Sequence, residues 1–206
     1  MTTTNFDSGS LVLNNGVTSA TYSGWTFGAS SAVDFANASA ADLTVLLNQF
    51  SGRSIILNYS GANVTDFSFK SSDGSDFQLN SFKIDNGPSG ASSFLTIAGY
   101  RDGALVVAAE SVDLTTSDAA GNITYTQQGN VGSLYSGLLT FNPAFNNVDE
   151  IRFVFASPVE LTVDDIDISA AVVPPTITSA TYDASTNSLG APTSIYSSKV
   201  VYFCII

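Results

Sequence analysis

Leu161-Thr162-Val163-Asp164-Asp165-Ile166-Asp167-Ile168 decides how the rest of the chain is read. Apolar and polar residues alternate through it with the period of two that marks a half-buried strand. Two carboxylates stand side by side, although like charges repel and Asp has poor strand propensity. Such a pair needs compensation, and a hard cation held by oxygen ligands supplies it. The natural partner lies near the other end of the chain, at Asn5-Phe6-Asp7-Ser8-Gly9. Asp7, Asp164 and Asp165 are therefore expected to form a structural calcium site if the first and last strands are neighbours. Adjacent strand residues face opposite sides, so only one of Asp164 and Asp165 points inward unless a bulge intervenes. The alternative is a solvated acidic edge that discourages pairing between sheets.

Outward from this stretch, the same alternation predicts strands at 64–70, 77–84, 93–99, 104–114, 122–127, 136–141, 150–155 and 160–168. In the second of these, Phe77 and Leu79 share a face and the pattern then slips towards Phe82 and Ile84. Turn residues separate the runs at Ser72-Asp73-Gly74-Ser75, Asp85-Asn86-Gly87-Pro88, Arg101-Asp102-Gly103 and Ala120-Gly121-Asn122. Asp73-Gly74-Ser75-Asp76, overlapping the first of these, resembles part of a calcium loop but lacks the later Glu of an EF-hand, and it reads better as a hairpin turn. Many short strands with Gly-rich turns predict an all-β, jelly-roll β-sandwich. One short helix is expected at 40–50, where Leu43, Leu46, Leu47 and Phe50 have helical spacing.

The sandwich module is expected to span 5–170, followed by a proline linker at 171–175. Residues 176–206 read as the truncated start of an immunoglobulin-like repeat with an atypical apolar tail, which carries the sole cysteine, Cys204. Asp183-Ala184-Ser185-Thr186-Asn187 looks like a hairpin turn. Met1-Thr2-Thr3-Thr4-Asn5 has neither the basic start nor the apolar run of a signal peptide. Export would then use a signal elsewhere in a longer protein, or another route.

Composition narrows the function. Charged residues make up 12%, and the net charge is -12 with only six basic residues. Nucleic acid is excluded as a partner, because phosphate binding needs clustered Lys and Arg. No run is long enough for membrane insertion. The absence of His removes the usual general base and most zinc and iron sites. The three Glu residues, Glu110, Glu150 and Glu160, sit in no recognisable acid/base phrase.

Asn5-Phe6-Asp7-Ser8-Gly9, Gly24-Trp25-Thr26-Phe27, Ser72-Asp73-Gly74-Ser75-Asp76-Phe77-Gln78-Leu79, Ile97-Ala98-Gly99-Tyr100-Arg101-Asp102-Gly103 and Val163-Asp164-Asp165-Ile166 occur in this order. The ordered set resembles the jelly-roll modules of large bacterial surface and adhesin-type proteins, themselves similar to carbohydrate-binding modules and the MAM domain. The resemblance covers about 5–170. It implies an extracellular or cell-surface setting and a structural calcium flanked by Asp7 and the Asp164-Asp165 pair. The MAM cysteines are absent, and Asp7 stands where Glu is usual.

Sugar platforms use exposed aromatic rings beside polar side chains. Trp25, close to Phe27, reads as core. Tyr100, beside Arg101 and Asp102 at a turn, is the better candidate for a ligand-binding group. The expected function is a non-catalytic binding or adhesion module with calcium, for which glycans or neighbouring domains of a larger surface protein are the candidate partners. The alternatives are a purely structural spacer and a glycosidase-like enzyme.

Overall fold

Each alternating run becomes a strand in the computed structural model of the chain, which describes residues 2–8, 10–39, 52–58, 63–86, 93–131, 134–171, 182–183 and 188–189. The strands are β1 (Thr2–Thr4), β2 (Val12–Tyr22), β3 (Trp25–Ser39), β4 (Arg53–Leu57), β5 (Asp66–Ser71), β6 (Phe77–Asn86) and β7 (Phe94–Arg101). They continue with β8 (Ala104–Asp113), β9 (Asp118–Ala120), β10 (Ile123–Val131), β11 (Leu134–Phe141), β12 (Glu150–Phe155) and β13 (Leu161–Ala170). A 3-10 turn at Pro143–Phe145 is the one helical element among the described residues. The helix expected at 40–50 lies outside them. None of the described helices is long and apolar enough to cross a membrane.

All pairing is antiparallel, and the long strand β3 belongs to both layers. Its Trp25–Ala29 half lies beside β5, and its Phe35–Ser39 half lies beside β4. The first layer runs β8-β7-β12-β5-β3 and the second runs β3-β4-β13-β6-β11-β10-β9, with β2 along the outside of β3. The chain crosses between layers from β4 to β5, β5 to β6, β6 to β7, β8 to β9, β11 to β12 and β12 to β13. These crossings make an all-β sandwich. They also correct one turn: Ser72-Asp73-Gly74-Ser75 carries the chain between layers rather than closing a hairpin. Arg101-Asp102-Gly103 does close one, between β7 and β8, with positive φ at Asp102 and Gly103.

The core is aromatic. Phe69 stands edge-on to Trp25 and Phe82 at 5.3 and 5.4 Å, and Trp25 meets Phe77 at 5.2 Å. Each such pair is worth roughly 1 kcal/mol beyond its buried area. Trp25 is buried, as its sequence neighbourhood implied, and its indole N–H donates to Thr4 Oγ1 at 3.2 Å. The slip in β6 is real: Phe77, Leu79, Phe82 and Ile84 all face the core, while Asn80 and Ser81 between them do not.

The chain divides into two units, residues 1–172 and 173–206. In the second, β14 (Tyr182–Asp183) pairs antiparallel with β15 (Ser188–Leu189).

Candidate functional site

The two ends of the sandwich sequence meet on β13. β4 pairs with Leu161–Val163, and β1 pairs with Ile166–Ile168 along the same flank. Asp164 and Asp165 lie at the seam where one partner strand gives way to the other. On the opposite flank Asp164 pairs with Lys83, and the register then jumps to Asp167 opposite Ser81. This is a bulge, and Asp165 takes φ 47°, a conformation that Asp tolerates better than most residues. Its own amide donates to Asp164 Oδ1 at 2.8 Å.

Asp7 reaches the same seam. Phe6 is buried edge-on against Phe27, which pulls the chain after β1 inward. Asp7 then turns back, and its Oδ1 accepts the Arg53 amide at 2.8 Å, capping the start of β4. Lys83 Nζ lies 2.7 Å from Asp165 Oδ2, both side chains being one-third exposed. Asp164 is 4% exposed. Burial pushes its carboxyl up to about 7, and the nearby charges of Asp165 and Asp7 add to this against Lys83. Lys83 is raised in turn, chiefly by its hydrogen bond to Asp165. Asp164 is the buried member of the pair, on the face of β13 opposite core-facing Val163, and Asp165 sits at the rim.

The donor set of the seam is all oxygen, which fits a hard cation. Asp7, Asp164 and Asp165 are the residues that would hold it. Among the described residues, however, no three acidic, His or Cys side chains converge closely enough to bind a metal ion. The Lys83 ammonium already serves as the local cation.

A second feature lies on the outer face of the first layer. A groove of about 480 Å³ is lined by Gly28, Ser68, Ala98, Tyr100, Arg152 and Val154 among others. The strand register explains its shape. Ala98, Arg152, Ser68 and Gly28 are successive cross-strand partners and make a floor of small side chains with one arginine in its middle. Tyr100, Glu150, Lys70 and Thr26 form the row on one side, and Thr96, Val154 and Asp66 form the row on the other. The floor crosses four strands, roughly 14 Å at ordinary strand spacing.

Arg152 is held rigidly there. Its Nε and Nη2 donate to the two Glu150 oxygens at 2.8 and 2.9 Å, and its Cζ stands 3.9 Å above the Tyr100 ring centre. Fork-on-carboxylate geometry and ring stacking both favour Arg over Lys. At the Glu150 end a smaller hollow of about 310 Å³ opens between Lys70, Ser71, Gly103 and Asp149.

Tyr100, Arg101 and Asp102 do not share this surface. Tyr100 lines the groove. Arg101 faces the other side of β7, where Asn147, with its amide oriented to satisfy both neighbours, accepts from Arg101 and donates to Asp76 at 2.9 Å. Asp102 is an exposed turn residue whose amide donates to Asp149 Oδ2 at 2.7 Å. The arginine beside Tyr100 is Arg152, which sequence reading missed. Its signal was the alternation of Glu150, Arg152 and Val154 with Ile151, Phe153 and Phe155.

The chain matches no family model, no curated protein and no solved structure.

Proposed function

We propose that the chain is a non-catalytic binding module of an extracellular or cell-surface protein, and that it takes a carbohydrate across the groove of its first layer. The observation that carries this reading is the Tyr100–Arg152–Glu150 cluster set in a floor of small side chains. An aromatic edge, a guanidinium and a carboxylate together offer donors and acceptors for paired sugar hydroxyls. The groove charges of Lys70, Arg152, Asp66 and Glu150 balance, which favours a neutral glycan over an acidic one.

Spacing in the groove supports a non-catalytic role. The carboxylates on the two side rows, Glu150 and Asp66, are separated by four residues along the strand register. That is about 13 Å, beyond the roughly 5–10 Å that glycoside hydrolysis uses. The seam of Asp7, Asp164 and Asp165 is the proposed structural calcium site, and calcium entry there requires Lys83 to swing away from Asp165.

Screening the full chain on a glycan array, followed by calorimetry of Arg152→Ala and Tyr100→Ala, tests the proposal. Binding lost in both variants, with melting unchanged, supports it. Hits that survive both substitutions refute the groove. A purely architectural spacer is the second reading, favoured by the Arg152 side chain covering one face of the Tyr100 ring.

A further inference from the structure

An edge strand presents unpaired N–H and C=O groups to any other strand that approaches, so the open edges of a sandwich are informative. Most edges here are blunted. β1 and β9 are only three residues long. β10, which runs on past β9, is covered by the chain before β9. The Gln127 amide donates to Ser117 Oγ, and its side-chain amide donates to the Thr115 carbonyl, both at 3.1 Å. β8 shifts register twice against β7. It is also tied to the turn before β10 by Glu110, whose Oε2 accepts the Asn122 amide at 2.7 Å.

The start of β2 has no such guard. Among the described residues, β2 pairs with β3 alone. Leu11, Val12 and Leu13 follow one another there at 38, 42 and 42% exposure. Val12, Leu13 and Asn14 keep a regular register opposite Asn37, Ala36 and Phe35, and the first shift comes after Asn14. Beyond it Gly16 takes φ 63°, and its amide donates to Asp34 Oδ1 at 2.7 Å. That bulge and its carboxylate end the stretch another strand can join. Leu11–Asn14 is left as a regular, mostly apolar edge. In an antiparallel ladder, alternate residues of such a strand aim their N–H and C=O at the free flank.

Charge decides what fits this edge. The chain carries a net charge of -12, so two copies repel across most of their surfaces. No charged residue occurs from Ser8 to Val33, and β2 has neither the Lys nor the Pro that keeps edges apart. The edge is also self-complementary. Antiparallel pairing about a two-fold axis sets Val12 opposite Leu13 of the second copy, and Leu11 opposite Asn14. Each exposed apolar side chain then gains a cross-strand neighbour about 5 Å away.

We infer that Leu11–Asn14 is a self-association surface, which pairs with the same strand of a second copy of this chain. The pairing is short, so the dimer is weak and reversible. It depends on neither the groove nor the seam. Copies displayed side by side would be held by many such contacts at once.

The test is sedimentation velocity of the full chain from 2 to about 400 μM, with melting curves to check folding. The parent should show reversible dimerisation that tightens at least threefold between 50 and 500 mM NaCl, because salt screens the repulsion between acidic copies. Leu13→Lys should weaken the dimer at least tenfold, while Leu105→Lys, on the exposed part of β8, should leave it as in the parent. Should Leu13→Lys not fold, Leu13→Thr replaces it, with about fivefold weakening expected. A parent that stays monomeric throughout overturns the inference. So does association that survives the Leu13 substitution, the result expected if the apolar tail holds copies together. Loss of the dimer in Leu105→Lys would move the contact to β8 and also overturn it.

Discussion

Gly52 and Asp7 share a contact that only glycine permits. Gly52 has φ +106°, and a β-carbon there would stand 1.9 Å from Asp7 Oδ1. The carboxylate needs that space to cap the Arg53 amide at the head of β4. Gly52→Ala therefore both strains the backbone and expels Asp7. The expected loss is about 2–4 kcal/mol in urea unfolding. A loss below about 0.5 kcal/mol would show that the seam does not depend on this contact.

The buried Asp164 makes stability depend on pH in a stated direction. Its carboxyl sits at about 7 in the fold, well above the roughly 4 of an ordinary Asp side chain. Between these values the folded state holds a proton that the unfolded state has lost. Without divalent cations, stability should fall as pH rises from about 4 to 7 and level off above, by on the order of 4 kcal/mol for this group. Asp164→Asn should remove that part of the slope and be the more stable protein at pH 8. Denaturation in EGTA at pH 5 and pH 8 checks this, and equal slopes in parent and variant contradict it.

Lys83 and calcium compete for the same carboxylates in the seam. Lys83→Gln should cost at most about 1 kcal/mol in EGTA, because the ion pair is partly exposed. Calcium should then bind about tenfold more tightly and raise the melting temperature more than in the parent. Identical calcium shifts in the two proteins would remove calcium from the seam.

Arg152 is held by Glu150, so the two should act together in the groove. Arg152→Ala should reduce glycan affinity at least tenfold, with melting within about 0.5 kcal/mol of the parent, since the side chain is surface-exposed. Glu150→Gln frees the guanidinium and should weaken binding less. Equal affinity of the parent and Arg152→Ala for any array hit would place binding elsewhere.

Strands with one wet face were legible, and the others were not. Ile151, Phe153 and Phe155 alternate with Glu150, Arg152 and Val154, so β12 stood out. In β4, Ser54, Ile55, Ile56 and Leu57 are all buried, and alternation disappears. β3 also defeats the pattern, because Phe35 faces the main core while Ala36 and Ala38 are buried on the opposite face. β2 is polar, contains Gly16, and shifts register twice against β3. The meeting of Asp7 with Asp164 and Asp165 was legible because residues near both termini carried the signal. Lys83 was not, because the bulge that brings it to Asp165 is a property of the pairing. Arg152 could be placed beside Tyr100 only once β12 was known to lie next to β7.

The most direct test of the binding-module account is amide shift mapping on the isotope-labelled full chain, titrated with neutral cello-, manno- and xylo-oligosaccharides. The account predicts that one series perturbs Gly28, Ser68, Ala98 and Arg152 together and leaves the second layer unmoved. Perturbations confined to any other face, or none with any neutral glycan, would contradict it.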